Sequence, residues 1–291
     1  MLQGKIISNI TNTYCVEANN KIYNCIVRGK FKKEDISPVV GDNVEIEIIN
    51  EEKMEAVIEQ ILPRNNYIKR PKLSNITQLI FVVSAKMPKP DLLLLDKQLA
   101  YAKYLNIKPI IVFNKTDLED VLEYKKIYEE IGYTVLETQA CNGQGVDELI
   151  KKLNNNISAF SGNSGVGKST LLNKIFLSNI NEEGNISKKN QKGKNTTTYI
   201  KLFKLLDNTY IADTPGFATL EISEIESKEL YKFFIEFEKY EKECEFVGCT
   251  HIKENACGIQ QAVREGKINI NRYNNYKKIY EQLKDKEEHK W

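Results

Sequence analysis

The sequence lacks any long apolar run. No segment approaches the roughly 18 consecutive apolar residues of a membrane-spanning helix. The opening MLQGKIISNITNTYC has none of the continuous apolar stretch of a secretory signal. A cytoplasmic protein with no membrane partner is the expectation. Charge excess is missing too: 42 Lys and Arg against 40 Asp and Glu exclude a global polycation, so any attraction to nucleic acid must come from local patches. Histidine is scarce, with two in 291 residues. Cys15, Cys25 and Cys141 are scattered, which fits reduced thiols rather than a disulfide framework. Internal repeats and low-complexity tracts are absent. The length allows about two domains, and a third small one if something other than a large core stabilises it.

What is present divides the chain into three. Up to residue 68 it reads as short strands, GKIISNI, TYCVEA, KIYNCIV, NVEIEII and MEAVIEQIL, separated by turn-formers such as NN and PVVGD. Five strands without a helix predict a small barrel, OB-type by preference, with an SH3-like barrel as the alternative. Residues 69–223 alternate apolar strands with helical patterns, from LIFVVSA to YIADTPG, which predicts a mainly parallel α/β sheet. Residues 224–291 read as charged and helical around a Cys/His-rich loop.

The middle segment carries the chemistry. GNSGVGKST (Gly162, Asn163, Ser164, Gly165, Val166, Gly167, Lys168, Ser169, Thr170) follows a strand-like ISAFS and opens a helix-like run. In that setting backbone N–H groups curl around phosphate, Lys168 meets the β and γ phosphates, and Ser169 ligates Mg²⁺. DTPG at a strand end supplies Asp213 for Mg²⁺ and the Gly216 N–H for the γ phosphate. In FNKTDL, ionised Asp117 is acceptor-only and takes the guanine N1–H and amine, where adenine presents the wrong pattern. Lys115 packs over the base, and Asn114 and Thr116 complete the loop. Such hydrogen bonds discriminate by roughly 10⁴, favouring GTP/GDP over adenine nucleotides. Gln139 and Ala140 in ETQACNG form the candidate second base loop. The guanine loop precedes the phosphate loop, the reverse of an ordinary small GTPase. Rotation of the chain preserves each strand–loop–helix unit when the original termini are close, so a circularly permuted P-loop GTPase domain is expected.

Cys244, Cys249, His251 and Cys257 lie within CEFVGCTHIKENAC. Three thiolates and one imidazole fill a closed tetrahedral site, which predicts one structural Zn²⁺ per chain. Two acid-free stretches are basic: Gln60–Pro90, with Arg64, Lys69, Arg70, Lys72, Lys86 and Lys89, and Gly184–Leu206, with six lysines. Local charge of this kind attracts phosphate backbone.

These motifs together resemble the RsgA (YjeQ/YloQ) family of small-ribosomal-subunit biogenesis GTPases, over essentially the whole chain. The resemblance implies an N-terminal OB barrel, a permuted GTPase domain and a helical C-terminal zinc domain. It also implies 16S rRNA on the 30S subunit as the target, and a monomer that leaves after ribosome-stimulated hydrolysis is the expectation. A GTP-binding switch with little hydrolysis of its own is the rival reading, and a factor for finished subunits a third. The family's switch I reads approximately GRHTTT, and here Gly193–Thr198 reads GKNTTT. Asn195 therefore stands where the family has His, beside Thr196 and Thr197. Phe217 follows DTPG where Ras-like proteins place a water-orienting Gln. Lys168, Asn195, Thr196 and Thr197 are the catalytic candidates.

Overall fold

In a computed structural model the chain is described over residues 1–28, 37–183, 200–213, 222 and 224–289. It forms two compact units, one of residues 1–80, 146–160 and 169–217, the other of residues 81–145, 161–168 and 218–291.

In the first unit β1 (Leu2–Ile10), β2 (Thr13–Ala18), β3 (Lys21–Val27), β4 (Asn43–Asn50) and β5 (Glu55–Ile61) form a barrel. Strand β2 buries Tyr14, Val16 and Ala18 on one face, the period-2 pattern of a half-buried strand. Asn19 and Asn20, both at positive φ, turn β2 into β3 in the left-handed conformation that asparagine tolerates. The strand order is β1-β2-β3-β5-β4, and β1 pairs again with β4. β3 and β5 run parallel. That closed order is OB-type and removes the SH3-like alternative.

The barrel's β1 also pairs with β12 (Lys201–Leu206), Ser8 opposite Lys201. β12 continues antiparallel into β13 (Thr209–Asp213), which runs parallel to β11 (Ile157–Ser161). Two short strands, β6 (Tyr67–Ile68) and β7 (Leu73–Ser74), flank the exposed turn of Lys69, Arg70 and Lys72. Helices α3 (Val146–Leu153) and α4 (Lys168–Glu183) follow in chain order.

β8 (Gln78–Ser84) leads into the second unit, followed by α1 (Leu92–Tyr104), β9 (Lys108–Asn114), α2 (Leu122–Ile131) and β10 (Thr134–Thr138). β8 is buried end to end and β9 from Ile110 onward, as parallel strands covered on both faces require. β9 and β10 are parallel with Asn114 opposite Thr138. Their carboxyl ends, where α/β sheets bind ligands, therefore lie side by side. The C-terminal segment has three 3₁₀ turns (Ser227–Phe233, Ile235–Lys239, Glu241–Glu243), then α5 (Gly258–Arg264) and α6 (Ile270–Glu288). Among the described residues no helix is long and apolar enough to cross a membrane.

Candidate nucleotide site and metal centre

Asn114 ends β9 and is 1 % exposed. Its Nδ2 donates to Val166 O (2.9 Å), and its Oδ1 accepts from Thr138 Oγ1 (3.0 Å) and Ala140 N (3.1 Å). One amide thus ties together the guanine loop, the second base loop and the phosphate loop. Lys115, at φ +64, sends its ammonium to the carbonyls of Gly165 (2.7 Å) and Met87. Thr116 hydrogen-bonds Thr138 O through Oγ1 (3.4 Å). Asp117, Gln139 and Gln144 line a cleft of about 370 Å³. The Gln139–Gln144 turn supports itself: Gln139 N donates to Gln144 O (3.0 Å), and Asn142 Nδ2 donates to Gln139 Oε1 (2.7 Å).

The phosphate loop needs glycine at two positions for reasons outside the loop. A Cβ on Gly162 (φ +148) would sit 2.2 Å from Val82 O, and one on Gly167 (φ +96) would sit 2.3 Å from Asn114 Nδ2. Only glycine combines that backbone with such close approach. Val166 is buried, while Ser164 and Gly165 are exposed. Lys168 folds back onto the carbonyls of Gly162 and Asn163, and burial lowers its pKa from the ordinary lysine value. Ser169 and Thr170 are exposed in the first turn of α4. That helix N-terminus carries the dipole and free N–H groups that favour anions.

Helix α1 supports the loop in a way the sequence reading did not identify. Asp91 caps α1 by accepting from Leu94 N (3.0 Å), and its other oxygen accepts from Asn163 Nδ2 (3.2 Å). Gln98 Nε2 donates to Ser161 Oγ (2.9 Å), one residue before Gly162. The available signal was PDLLLL, a Pro-Asp pair before an apolar run, which marks a cap.

Asp213 is the last residue of β13. The expectations for Asn195, Thr196, Thr197, Gly216 and Phe217 lie outside the described residues. Of the first basic stretch, Arg64 is engaged by Asp42 (2.7 and 2.8 Å) and Lys86 by Glu119 (3.0 Å).

In the C-terminal segment the ligand atoms of Cys244, Cys249, His251 and Cys257 all lie within 4.8 Å of one another. His251 Nδ1 is 3.5 Å from Cys244 Sγ and 3.4 Å from Cys257 Sγ, and the two sulfurs are 3.9 Å apart. Ligands on a zinc tetrahedron lie about 3.5–3.8 Å apart, given the usual bond lengths, so the donor set fits a divalent metal through Nδ1. Burial pushes the Cys249 thiol up to about 12 and His251 down. A bound cation supplies the charge that reverses the thiol's preference.

The loop around the ligands is held by a dense set of hydrogen bonds. Glu254 accepts from Thr250 N (2.8 Å), Thr250 Oγ1 (2.7 Å), Ile252 N (3.0 Å) and Lys253 N (3.0 Å). Burial works against its ionisation, yet these hydrogen bonds bring its pKa down to about 2. From α6, Tyr273 and Tyr276 donate to the carbonyls of His251 (2.7 Å) and Thr250 (2.6 Å).

Comparison with known proteins agrees with this geometry. The RsgA GTPase family model matches residues 61–223, and the RsgA N-terminal domain model matches residues 3–58. A Small ribosomal subunit biogenesis GTPase RsgA of Clostridium botulinum is 42% identical over 294 residues, covering 100% of each chain. That of Alkaliphilus metalliredigens is 39% identical over 287 residues, covering 98% of each. The crystal structure of YjeQ from Thermotoga maritima superimposes with a TM-score of 0.85 at 36% identity, covering 97% of this chain and 98% of that one. The structure of YloQ, a circularly permuted GTPase, does so with a TM-score of 0.83 at 32% identity, covering 98% and 96%. With an OB-type barrel, base and phosphate loops in permuted order and a compact Cys₃His cluster, the chain belongs to the RsgA GTPase family, as a GTP-hydrolysing enzyme.

Proposed function

We propose that this GTPase acts in late maturation of the 30S ribosomal subunit, binding 16S rRNA and leaving as the GDP form after ribosome-stimulated hydrolysis. The observation that carries the reading is the Asn114 junction of the three nucleotide loops, in a chain whose full-length relatives are named for small-subunit biogenesis. The division of labour follows the segments 1–68, 69–223 and 224–291: barrel, GTPase domain and metal domain.

Within the GTPase segment, Asp117 reads guanine with Asn114, Lys115, Thr116, Gln139 and Ala140 around it, and residues Gly162–Thr170 hold the phosphates. Ser169 and Asp213 hold Mg²⁺, and Gly216 contacts the γ phosphate. Lys168, Thr196 and Thr197 stabilise the developing charge, and Asn195 positions water. Asn195 hydrogen-bonds in both directions but takes no proton as imidazole would, so hydrolysis away from the ribosome is slow. The cluster at Cys244 holds one structural Zn²⁺. The exposed turn of Lys69, Arg70 and Lys72 offers positive charge to rRNA. The protein works as a cytoplasmic monomer.

Asn195 in place of His and Phe217 in place of Gln favour a second reading, a ribosome-bound switch with little hydrolysis. GTP turnover with and without 30S subunits separates the two. Stimulation of at least about tenfold is expected, roughly 1.4 kcal/mol of barrier. Asn195→Ala should lower the stimulated rate more than GTP binding, and Asn195→His should preserve or raise it. No stimulation in either the native chain or the His variant would leave the switch reading standing. Asp117→Asn should weaken GTP binding strongly without unfolding the chain.

A further inference from the structure

The β12–β13 hairpin connects the two loops expected to sense the γ phosphate: GKNTTT ends at Thr198, three residues before β12, and DTPG begins at Asp213, the last residue of β13. The hairpin does not stand alone. Lys201 faces Ser8 of the barrel on one side and Asp213 on the other. The barrel edge and the first residue of DTPG therefore share one row of the sheet, about 10 Å apart at the usual strand spacing.

Further along, a single carboxylate of the barrel holds both strands of the hairpin. Glu17 on β2 accepts from Lys204 Nζ on β12 through Oε1 (2.9 Å) and from Tyr210 OH on β13 through Oε2 (2.9 Å). Lys204 and Tyr210 are direct cross-strand partners. Glu17 is only 13% exposed and Tyr210 8%, so water competes weakly for the bond between these two.

We infer that Glu17 is a positioning residue that locks the hairpin between the two switch loops onto the barrel, so that whatever the barrel binds and whichever nucleotide is bound bias each other. The inference rests on the GTP-binding role proposed above. The physical requirement is a differential contact. Any nucleotide-dependent displacement of Lys201 or Asp213 at the end of the hairpin would be shared by a barrel fixed to both strands. Linkage then makes the effect reciprocal. A hairpin attached by one strand could slide beneath the barrel, whereas Glu17 fixes the two strands together.

The test is the ratio of dissociation constants for GDP and for a non-hydrolysable GTP analogue, measured in the native chain, Glu17→Ala, Glu17→Gln and Tyr210→Phe. A ratio shifted threefold or more is expected in Glu17→Ala and Tyr210→Phe. A smaller shift is expected in Glu17→Gln, which keeps an acceptor for Tyr210. The double variant Glu17→Ala/Tyr210→Phe should add little to Glu17→Ala, because the two residues share one contact. A ratio within threefold of native in folded Glu17→Ala and Tyr210→Phe, or equal weakening of both nucleotides, overturns the proposal. Should Glu17→Ala fail to fold, Tyr210→Phe, which loses one hydroxyl, decides alone. If neither folds, amide exchange across β1 and β2 of the native chain decides: protection that differs between the two nucleotides supports the proposal, and identical protection rejects it. A native chain that binds neither nucleotide removes the GTP-binding role and this inference together. Normal native binding with an unmoved ratio removes this inference only.

Discussion

The segments flanking the GTPase loops are attached by opposite means. The N-terminal barrel is joined by backbone, since β1 continues into β12 through strand pairing, and Glu17 adds one partly exposed ion pair with Lys204. Among its described residues the C-terminal segment has no strand to offer. Its α6 inserts a guanidinium: Arg272 is fully buried, forked onto Glu236 (2.8 and 2.9 Å) and bonded to Asp96 of α1 (2.5 Å). The rings of Tyr128, Tyr133 and Phe234 lie 5.5, 5.9 and 4.9 Å from its carbon. Asp96 also accepts from Tyr128 OH (2.8 Å) and Asn275 Nδ2 (2.7 Å). Backbone pairing tolerates many side chains because the bonds belong to the main chain. A buried charge tolerates almost none, because losing one partner leaves the others ionised in a medium that cannot solvate them.

The metal proposed for the Cys₃His cluster would be the strongest fixing point on the C-terminal side. In isolated small zinc domains its binding amounts to about 10 kcal/mol or more of folding free energy. Chelation, or Cys249→Ser, should release the loop from Cys244 to Cys257 and make it cleavable by protease at least about ten times faster. Guanine nucleotide binding and the barrel should persist. α6 should stay docked, because Arg272 holds it independently of Tyr273 and Tyr276. Metal analysis of protein purified without chelator should return one zinc per chain. Finding none, or finding α6 cleaved as readily as the loop, would mean that the cluster and Arg272 do not hold the segment independently.

Next in size is the guanidinium. Arg272→Ala should cost about 3–5 kcal/mol, the usual penalty for breaking a buried pair, read from urea unfolding of the zinc-loaded chain. Arg272→Lys should recover part of this, since it keeps the charge but loses the planar fork. A cost below about 1 kcal/mol would mean that the aromatic box, rather than the charge, holds α6.

Much of this molecule was legible beforehand, and unevenly. The GNSGVGKST, NKTD and Cys₃His motifs are legible because each lies within one contiguous stretch. Strand alternation revealed the barrel, but its closure order is a matter of long-range pairing and appears only in β3 running beside β5. Even inside a familiar motif the reason for a residue lay elsewhere. Gly167 must be glycine because Asn114, from another loop, occupies the space of its Cβ. Arg272 was unreadable for the same cause. Its partners lie 36 and 176 residues away, and RYNNY by itself carries no sign of a buried charge. Glu17 sits in an ordinary alternating strand, and only the register of β12 against β13 makes it a bridge.

Lys204 is 37% exposed and also lies 3.3 Å from Asp207, so its ion pair with Glu17 is partly screened and the lysine stem stays mobile. Lys204→Met keeps that stem, leaves Tyr210 donating to Glu17 and does not touch the β1–β12 backbone bonds. Pairs this exposed contribute about 0–1 kcal/mol, so urea unfolding should move by no more than that. Raising salt, which weakens exposed pairs, should narrow the gap between variant and native chain. The same salt titration on Arg272→Ala should leave its deficit nearly unchanged, since a fully buried pair is poorly screened. If Lys204→Met instead cost as much as Arg272→Ala, the barrel would be held by a desolvated charge as well, and the distinction between a backbone-joined and a charge-joined segment would fail.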